Sequence, residues 1–169
     1  DAATNTLKFE FNDDFKAAVL NVVPNMRAGD VAVKAGLATA NARWCEVDFL
    51  TFESKAAKNI HVLGDAIQIA PGMPKSGHMA NQHGKTCAAA VVSLLQGKEP
   101  PQLPIYANTC YSFVTDEDVV HVASVHRYDA EKKTMLTVPG SGGVSSAASE
   151  LEGRYALAWA RNIWADTLA

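Results

Sequence analysis

The stretch from Ser76 to Gly97 constrains this chain more than any other. Ser76 is a natural helix N-cap, the residues from Gly77 to Leu95 can run as one helix, and Gly97 stands just past its end as a stop. Upstream, Asn59-Ile60-His61-Val62-Leu63 is a short apolar run with β-branched residues, closed by Gly64. Its pattern predicts a strand covered on both faces, then a turn at Gly64-Asp65, then the Met73-Pro74-Lys75-Ser76 approach to the helix.

In that arrangement Asp65 lies at a strand's carboxyl end. Open α/β sheets bind ligands there, and a carboxylate can accept hydrogen bonds from ribose or ribityl hydroxyls. Gly64 would let the backbone approach such a ligand. Lys75 and the unpaired N–H groups of a helix N-terminus bias the site positively, which suits the N1 and C2 carbonyl side of a reduced flavin. The combination reads as half of a flavin site.

The remainder divides into two patterns. The chain opens with an alternating strand from Leu7 to Phe11, a turn at Asn12-Asp13-Asp14 and a second strand from Phe15 to Val23, followed by a loop and short helix within Pro24 to Ala38. A glycine-rich GxGxxG turn, which would hold a dinucleotide pyrophosphate, does not occur. Gly97 to Pro104 contains three prolines and reads as a boundary. Beyond it, Ile105 to Thr115, Val119 to Tyr128 and Thr134 to Val138 read as three strands, with an acidic turn at Asp116-Glu117-Asp118, a turn at Asp129 to Lys133 and a flexible loop at Ser141-Gly142-Gly143. Ser149 to Leu168 carries helical periodicity through Leu151, Tyr155, Ala158, Trp159, Asn162 and Ile163. The expected fold is α+β to α/β: residues 1–97 as the carboxyl-terminal part of a FAD-binding, Rossmann-like region, and residues 98–169 as a small antiparallel sheet with a closing helix.

Composition narrows the function classes. A chain of 169 residues, 48% hydrophobic, can bury a real core. Its 15 basic and 18 acidic residues leave a net charge of -3 without long runs of either sign, which argues against nucleic acid as a partner. No segment is apolar for long enough to span a bilayer, and no export signal is evident, although in a mature or partial chain that says nothing about compartment. His61, His83, His121 and His126 show no metal-ligand spacing with the cysteines, so no metal site is expected.

The three cysteines cannot all pair within one chain. Cys87, on an alanine-rich helix face, and Cys45, beside Trp44, read as small core residues. Cys110, in Asn108-Thr109-Cys110-Tyr111-Ser112, reads on spacing alone as a structural thiol too.

Taken in order, Trp44-Cys45, Thr51-Phe52-Glu53-Ser54, His61-Val62-Leu63-Gly64-Asp65, Met73-Pro74-Lys75-Ser76-Gly77, Asn108-Thr109-Cys110-Tyr111-Ser112, Ser141-Gly142-Gly143-Val144 and the Trp159 helix resemble the flavoprotein subunit of flavocytochrome c sulfide dehydrogenase. The resemblance covers essentially the whole chain and only the carboxyl-terminal portion of that subunit, so a missing amino-terminal half is expected. It implies that Cys110 forms a redox-active disulfide over FAD with a cysteine of that half. It also implies that Gly64 and Asp65 meet the ribityl chain, that Pro74, Lys75 and Ser76 lie near the pyrimidine edge, and that Trp159 lies near the isoalloxazine ring. At His78 the sequence departs from the family's tyrosine, and a histidine there could still stack on a ring or donate a hydrogen bond. The implied activity is oxidation of hydrogen sulfide in the periplasm, with electrons leaving through FAD to a c-type cytochrome subunit that carries the haem. Alone, this chain is expected to be inactive.

Two other readings share these features. A sulfide:quinone reductase or pyridine nucleotide-disulfide oxidoreductase would use the same FAD segment, although the terminal Arg161 to Ala169 has few basic and apolar residues for a membrane-binding helix. A non-catalytic cytochrome-interaction module would bind its partner without flavin.

Overall fold

The computed structural model describes residues 1–168. In chain order it contains β1 (Thr6–Leu7), β2 (Phe15–Lys16), α1 (Asp30–Lys34), a single 3-10 turn (Gly64–Ala66), α2 (Gly77–Leu95), β3 (Ile105–Phe113), β4 (Val119–Asp129), β5 (Thr134–Thr137), β6 (Gly143–Val144) and α3 (Glu150–Leu168). Antiparallel pairing plus helices makes the class α+β.

Helix α2 begins and ends where its local chemistry dictates. The Ser76 side chain accepts the Met79 N–H at 3.1 Å, satisfying one otherwise orphaned donor of the first turn. At the other end Gly97 takes φ +68°, its N–H bonds the Leu94 carbonyl, and the Lys98 N–H bonds the Ser93 carbonyl, a paired closure that needs a residue tolerant of left-handed backbone. Between them Met79, His83, Cys87 and Ala90 form one buried stripe at helical spacing.

That stripe meets the main core. Phe52, Ile67, Met73 and Met79 pack there with Tyr106 from β3, Tyr128 from β4 and Met135 from β5, so residues on both sides of the proline-rich segment share one apolar cluster. Each fully buried large side chain contributes roughly 2 kcal/mol by removing apolar area from water. A smaller cluster gathers Ala28, Ala32, Leu37 and Cys45 around α1.

The four-stranded sheet runs β3-β4-β5, with β6 also pairing β4. Every cross-strand residue from Ile105 opposite Arg127 to Phe113 opposite Val119 is in register. Strand β3 therefore has one edge with no strand beside it, and α2 covers that edge with side chains. Gln82 donates to the Ala107 carbonyl and accepts the Ala107 N–H at 2.9 Å, while His78 Nδ1 accepts the Thr109 N–H at 3.1 Å. Two polar groups one helical turn apart thus stand in for a neighbouring strand.

Three expectations need correction. Residues 59–63 are not a covered strand: the chain makes only the isolated Glu53–His61 bridge, Asn59 sits at φ +61°, and Ile60 and Leu63 are exposed. The apolar run is extended near Leu63 but has no second strand to complete a ladder, so the parallel-sheet remnant expected in residues 1–97 is not present among the described residues. The amino-terminal hairpin exists but is two residues long on each side, not five and nine. In α3 the buried positions are Gly153 and Ala156, whereas Leu151 and Tyr155 are exposed. A side chain at Gly153 would lie 2.0 Å from the Glu117 carbonyl oxygen, so this close approach decides which face of α3 turns inward.

Candidate functional site

A cavity of about 320 Å³ opens between the start of α2, the far half of β3 and the middle of α3. Ser76, His78, Cys110 and Trp159 all line it, with Tyr111 and Phe113 adding aromatic surface. Four of the residues singled out in the sequence are thus brought together from three elements.

The aromatic wall is made by contacts between elements. The His78 ring centroid lies 5.5 Å from that of Trp159, and Tyr111 lies 6.2 Å from Trp159 on the other side. His78 is held twice, by Trp159 and by the Thr109 N–H at its Nδ1. Burial pushes the His78 pKa below the ordinary histidine value, and an N–H aimed at Nδ1 leaves that nitrogen no room for a proton. His78 therefore accepts a hydrogen bond at Nδ1, and the proton of the neutral ring sits on Nε2, which can still donate as the sequence suggested.

Cys110 borders the cavity and is only partly buried. Beside it Asn108, 3% exposed, places its amide nitrogen 3.4 Å from the Cys110 sulfur, and the Ser76 hydroxyl bonds Asn108 Oδ1 at 2.6 Å. The other two thiols sit in the core. Burial raises the pKa of both Cys45 and Cys87, with the Lys75 charge only partly opposing it at Cys45.

Gly64, Asp65, Pro74 and Lys75 do not line this cavity. Gly64 is at φ +67°, and a Cβ there would come within 3.2 Å of the Ala80 Cβ, so the glycine serves the packing of the 3-10 turn on α2. The space it opens is filled by Ala80. Asp65 is exposed at that turn. The Lys75 ammonium donates to the carbonyl oxygens of Asp65 and Ile67, both at 2.7 Å, and lies 3.7 Å from the centroid of the Trp44 ring. Burial lowers its pKa, opposed by the Asp65 carboxylate. Lys75 thus pins the loop after the 3-10 turn.

A polar cluster that sequence reasoning missed flanks the aromatic wall. Glu152 of α3 accepts from Ser145 Oγ at 2.6 Å and lies 2.9 Å from His121 Nδ1, and the His121 ring centroid is 6.4 Å from that of Tyr111. The Ser145 hydroxyl, and then His121, hold the Glu152 carboxyl below its ordinary pKa. Ser145 and Glu152 both approach the same His121 nitrogen, which fixes α3 on β4 without the two-nitrogen relay of a hydrolase triad. No signal in the sequence links positions this far apart.

Among the described residues no group of three or more His, Cys, Asp or Glu side chains is arranged to hold a metal ion, and no helix is long and apolar enough to cross a membrane.

Cys110 and the rings of His78, Tyr111 and Trp159 thus share one cavity beside the first turn of α2. Residues 102–168, which take in β3 to β6 and α3, match the family model described as flavocytochrome c sulphide dehydrogenase, flavin-binding. Over that span the chain is similar to this flavin-binding domain, which is consistent with a carboxyl-terminal portion of the flavoprotein subunit.

Proposed function

We propose that this chain supplies the thiol and one aromatic wall of a sulfide-oxidising flavoprotein. The observation that carries the reading is the convergence of Cys110, Trp159 and the first turn of α2 on one cavity within and beside the matched domain. The residues fit a flavin ring: aromatic side chains offer flat apolar surface, and the start of α2 at the cavity would favour negative charge on a ring held there. Bound flavin accepts an electron pair and releases electrons singly. Ser76, His78 and Trp159 are the proposed FAD contacts at the cavity, and Gly64, Asp65, Pro74 and Lys75, proposed from the resemblance, would serve by holding the loop that leads to α2.

Cys110 is proposed to be half of a disulfide. Cys45 and Cys87 are packed in the core, so its partner comes from another polypeptide segment, which the resemblance assigns to an amino-terminal half of the subunit. Hydrosulfide attacks one sulfur of that disulfide, the S–S bond breaks, and a persulfide and a thiolate result. A second hydrosulfide carries off the outer sulfur as hydrodisulfide and leaves two reduced cysteines; a flavin held at this cavity would take up their electron pair as the disulfide re-forms. The balance is two hydrosulfides giving one hydrodisulfide, one proton and two electrons. The electrons leave to a c-type cytochrome partner in the periplasm, where a disulfide can persist.

The test is anaerobic addition of sulfide to the protein purified from its source, followed by flavin absorbance. Bleaching that Cys110→Ser abolishes is the expected result, and bleaching undiminished in that variant would overturn the role of Cys110. Exposed Trp164 and Leu168 at the end of α3 support a second reading, transfer to a membrane quinone. Rates with a c-type cytochrome and with a water-soluble quinone as alternative acceptors separate the two.

A further inference from the structure

We infer that Asn108, oriented by Ser76, is a positioning residue that turns an N–H onto the Cys110 sulfur; this rests on the reading of Cys110 as the reacting thiol. The chain of hydrogen bonds has a direction that its donors fix. The Met79 N–H occupies a lone pair of Ser76 Oγ at 3.1 Å, and Ser76 directs its own proton to Asn108 Oδ1 at 2.6 Å. The NH2 group faces Cys110 with its nitrogen 3.4 Å from the sulfur, and the amide oxygen, already accepting from Ser76, also accepts from the Cys110 thiol at 3.7 Å while that thiol is protonated. Asn108 is 3% exposed, so the amide is shielded from competing water.

An N–H aimed at the sulfur holds it in one orientation for the attack or departure that thiol–disulfide exchange requires. The helix cap is thereby coupled to the chemistry: the same hydroxyl that starts α2 sets the orientation of the amide at the thiol. The bonds from Ser76 to Asn108 and from Asn108 to Cys110 are made within this chain, so they can be read out by alkylation without flavin turnover.

The experiment is the rate of iodoacetamide alkylation of the reduced protein at pH 7.5, with Cys110→Ser used to subtract the buried thiols. Asn108→Asp keeps size and keeps an acceptor for Ser76, but replaces the N–H with a negative oxygen; about a tenfold slower rate is expected. A rate within twofold of the parent, with native circular dichroism, would overturn the inference. Because a carboxylate slows a neighbouring thiol by charge alone, the slowing counts for the N–H only if the uncharged Asn108→Leu is slowed as well, and a parent rate in that variant would also overturn it. Should Asn108→Asp fail to fold, the Ser76 pair decides. Ser76→Thr retains the hydroxyl and the parent rate, whereas Ser76→Ala frees the amide to flip and slows alkylation several-fold; equal rates for these two variants would overturn it. Slow alkylation in Asn108→Asp together with sulfide bleaching that survives Cys110→Ser would leave the orienting bond standing and remove the catalytic reading.

Discussion

The first 27 residues and the sheet-plus-helix module of residues 105–168 both carry apolar residues suited to strands, yet only one of them builds a core. None of residues 1–27 is buried, and Phe11 is 87% exposed. In the module, β3 and β4 pair over nine positions and bury Tyr106, Val119 and Met135 almost completely. The difference lies in what stands behind the strands. A two-pair hairpin has no second layer on which to lay its apolar face, whereas β3 to β5 lie against α2 and α3.

The largest effect is expected at the tightest approach in the module. Gly153→Ala should cost about 3 kcal/mol, visible as a lowered denaturant midpoint, because its Cβ would meet the Glu117 carbonyl 2.0 Å away and α3 would have to lift. An unchanged midpoint would mean that α3 docks less closely than described.

Next comes His83, wholly buried between the rings of Phe52 and Tyr106, with neither ring nitrogen partnered. Burial, aided by the Lys75 charge, pushes its pKa from 6.5 to about 4. The unfolded chain binds this proton at a higher pH than the folded one, so stability is full above the ordinary value and falls as pH drops from about 6.5 to about 4. At pH 5 the loss is about 2 kcal/mol. His83→Leu removes that acid sensitivity and should be more stable than the parent at pH 5, as paired urea melts at pH 5 and pH 7.5 would check. At neutral pH the lost ring contacts and the removed unpaired nitrogens nearly offset each other.

Gly64→Ala should cost about 1.5 kcal/mol, from left-handed backbone at φ +67° and the crowding of Ala80, read as a shift in thermal midpoint. At the bottom of the scale, Phe11→Ser is expected to change stability by less than about 0.5 kcal/mol. A larger loss on thermal melting would show that the hairpin finds a surface to cover in solution.

What the sequence disclosed follows the same division. The cap at Ser76, the stop at Gly97 and the alternation in β3 to β5 depend on residues close together in the chain, and the structure has them nearly where expected. The supposed strand at 59–63 has the right residue types, but a strand also needs a neighbour, and composition does not supply one. Of the residues around the cavity, Ser76, His78, Cys110 and Trp159 were named from the chain, while Asn108, Gln82, Glu152 and Ser145 were not recognised as contributors. The contacts that tie them to other elements reach 24 to 32 positions along the chain, so local pattern could not find them. One signal was available: a glycine within a helical pattern, as at Gly153, costs about 1 kcal/mol and usually marks close packing.

The side-chain closure of β3 by Gln82 and His78 has a further consequence, for association between molecules. An open strand edge is a template on which another chain can add a strand and begin an aggregate. Here the donors and acceptor at Ala107 and Thr109 are already taken by a helix, which cannot be extended sideways into a growing sheet. Any loosening of α2 would therefore expose, besides the cavity, a stretch of sheet edge on which copies of the chain could stack.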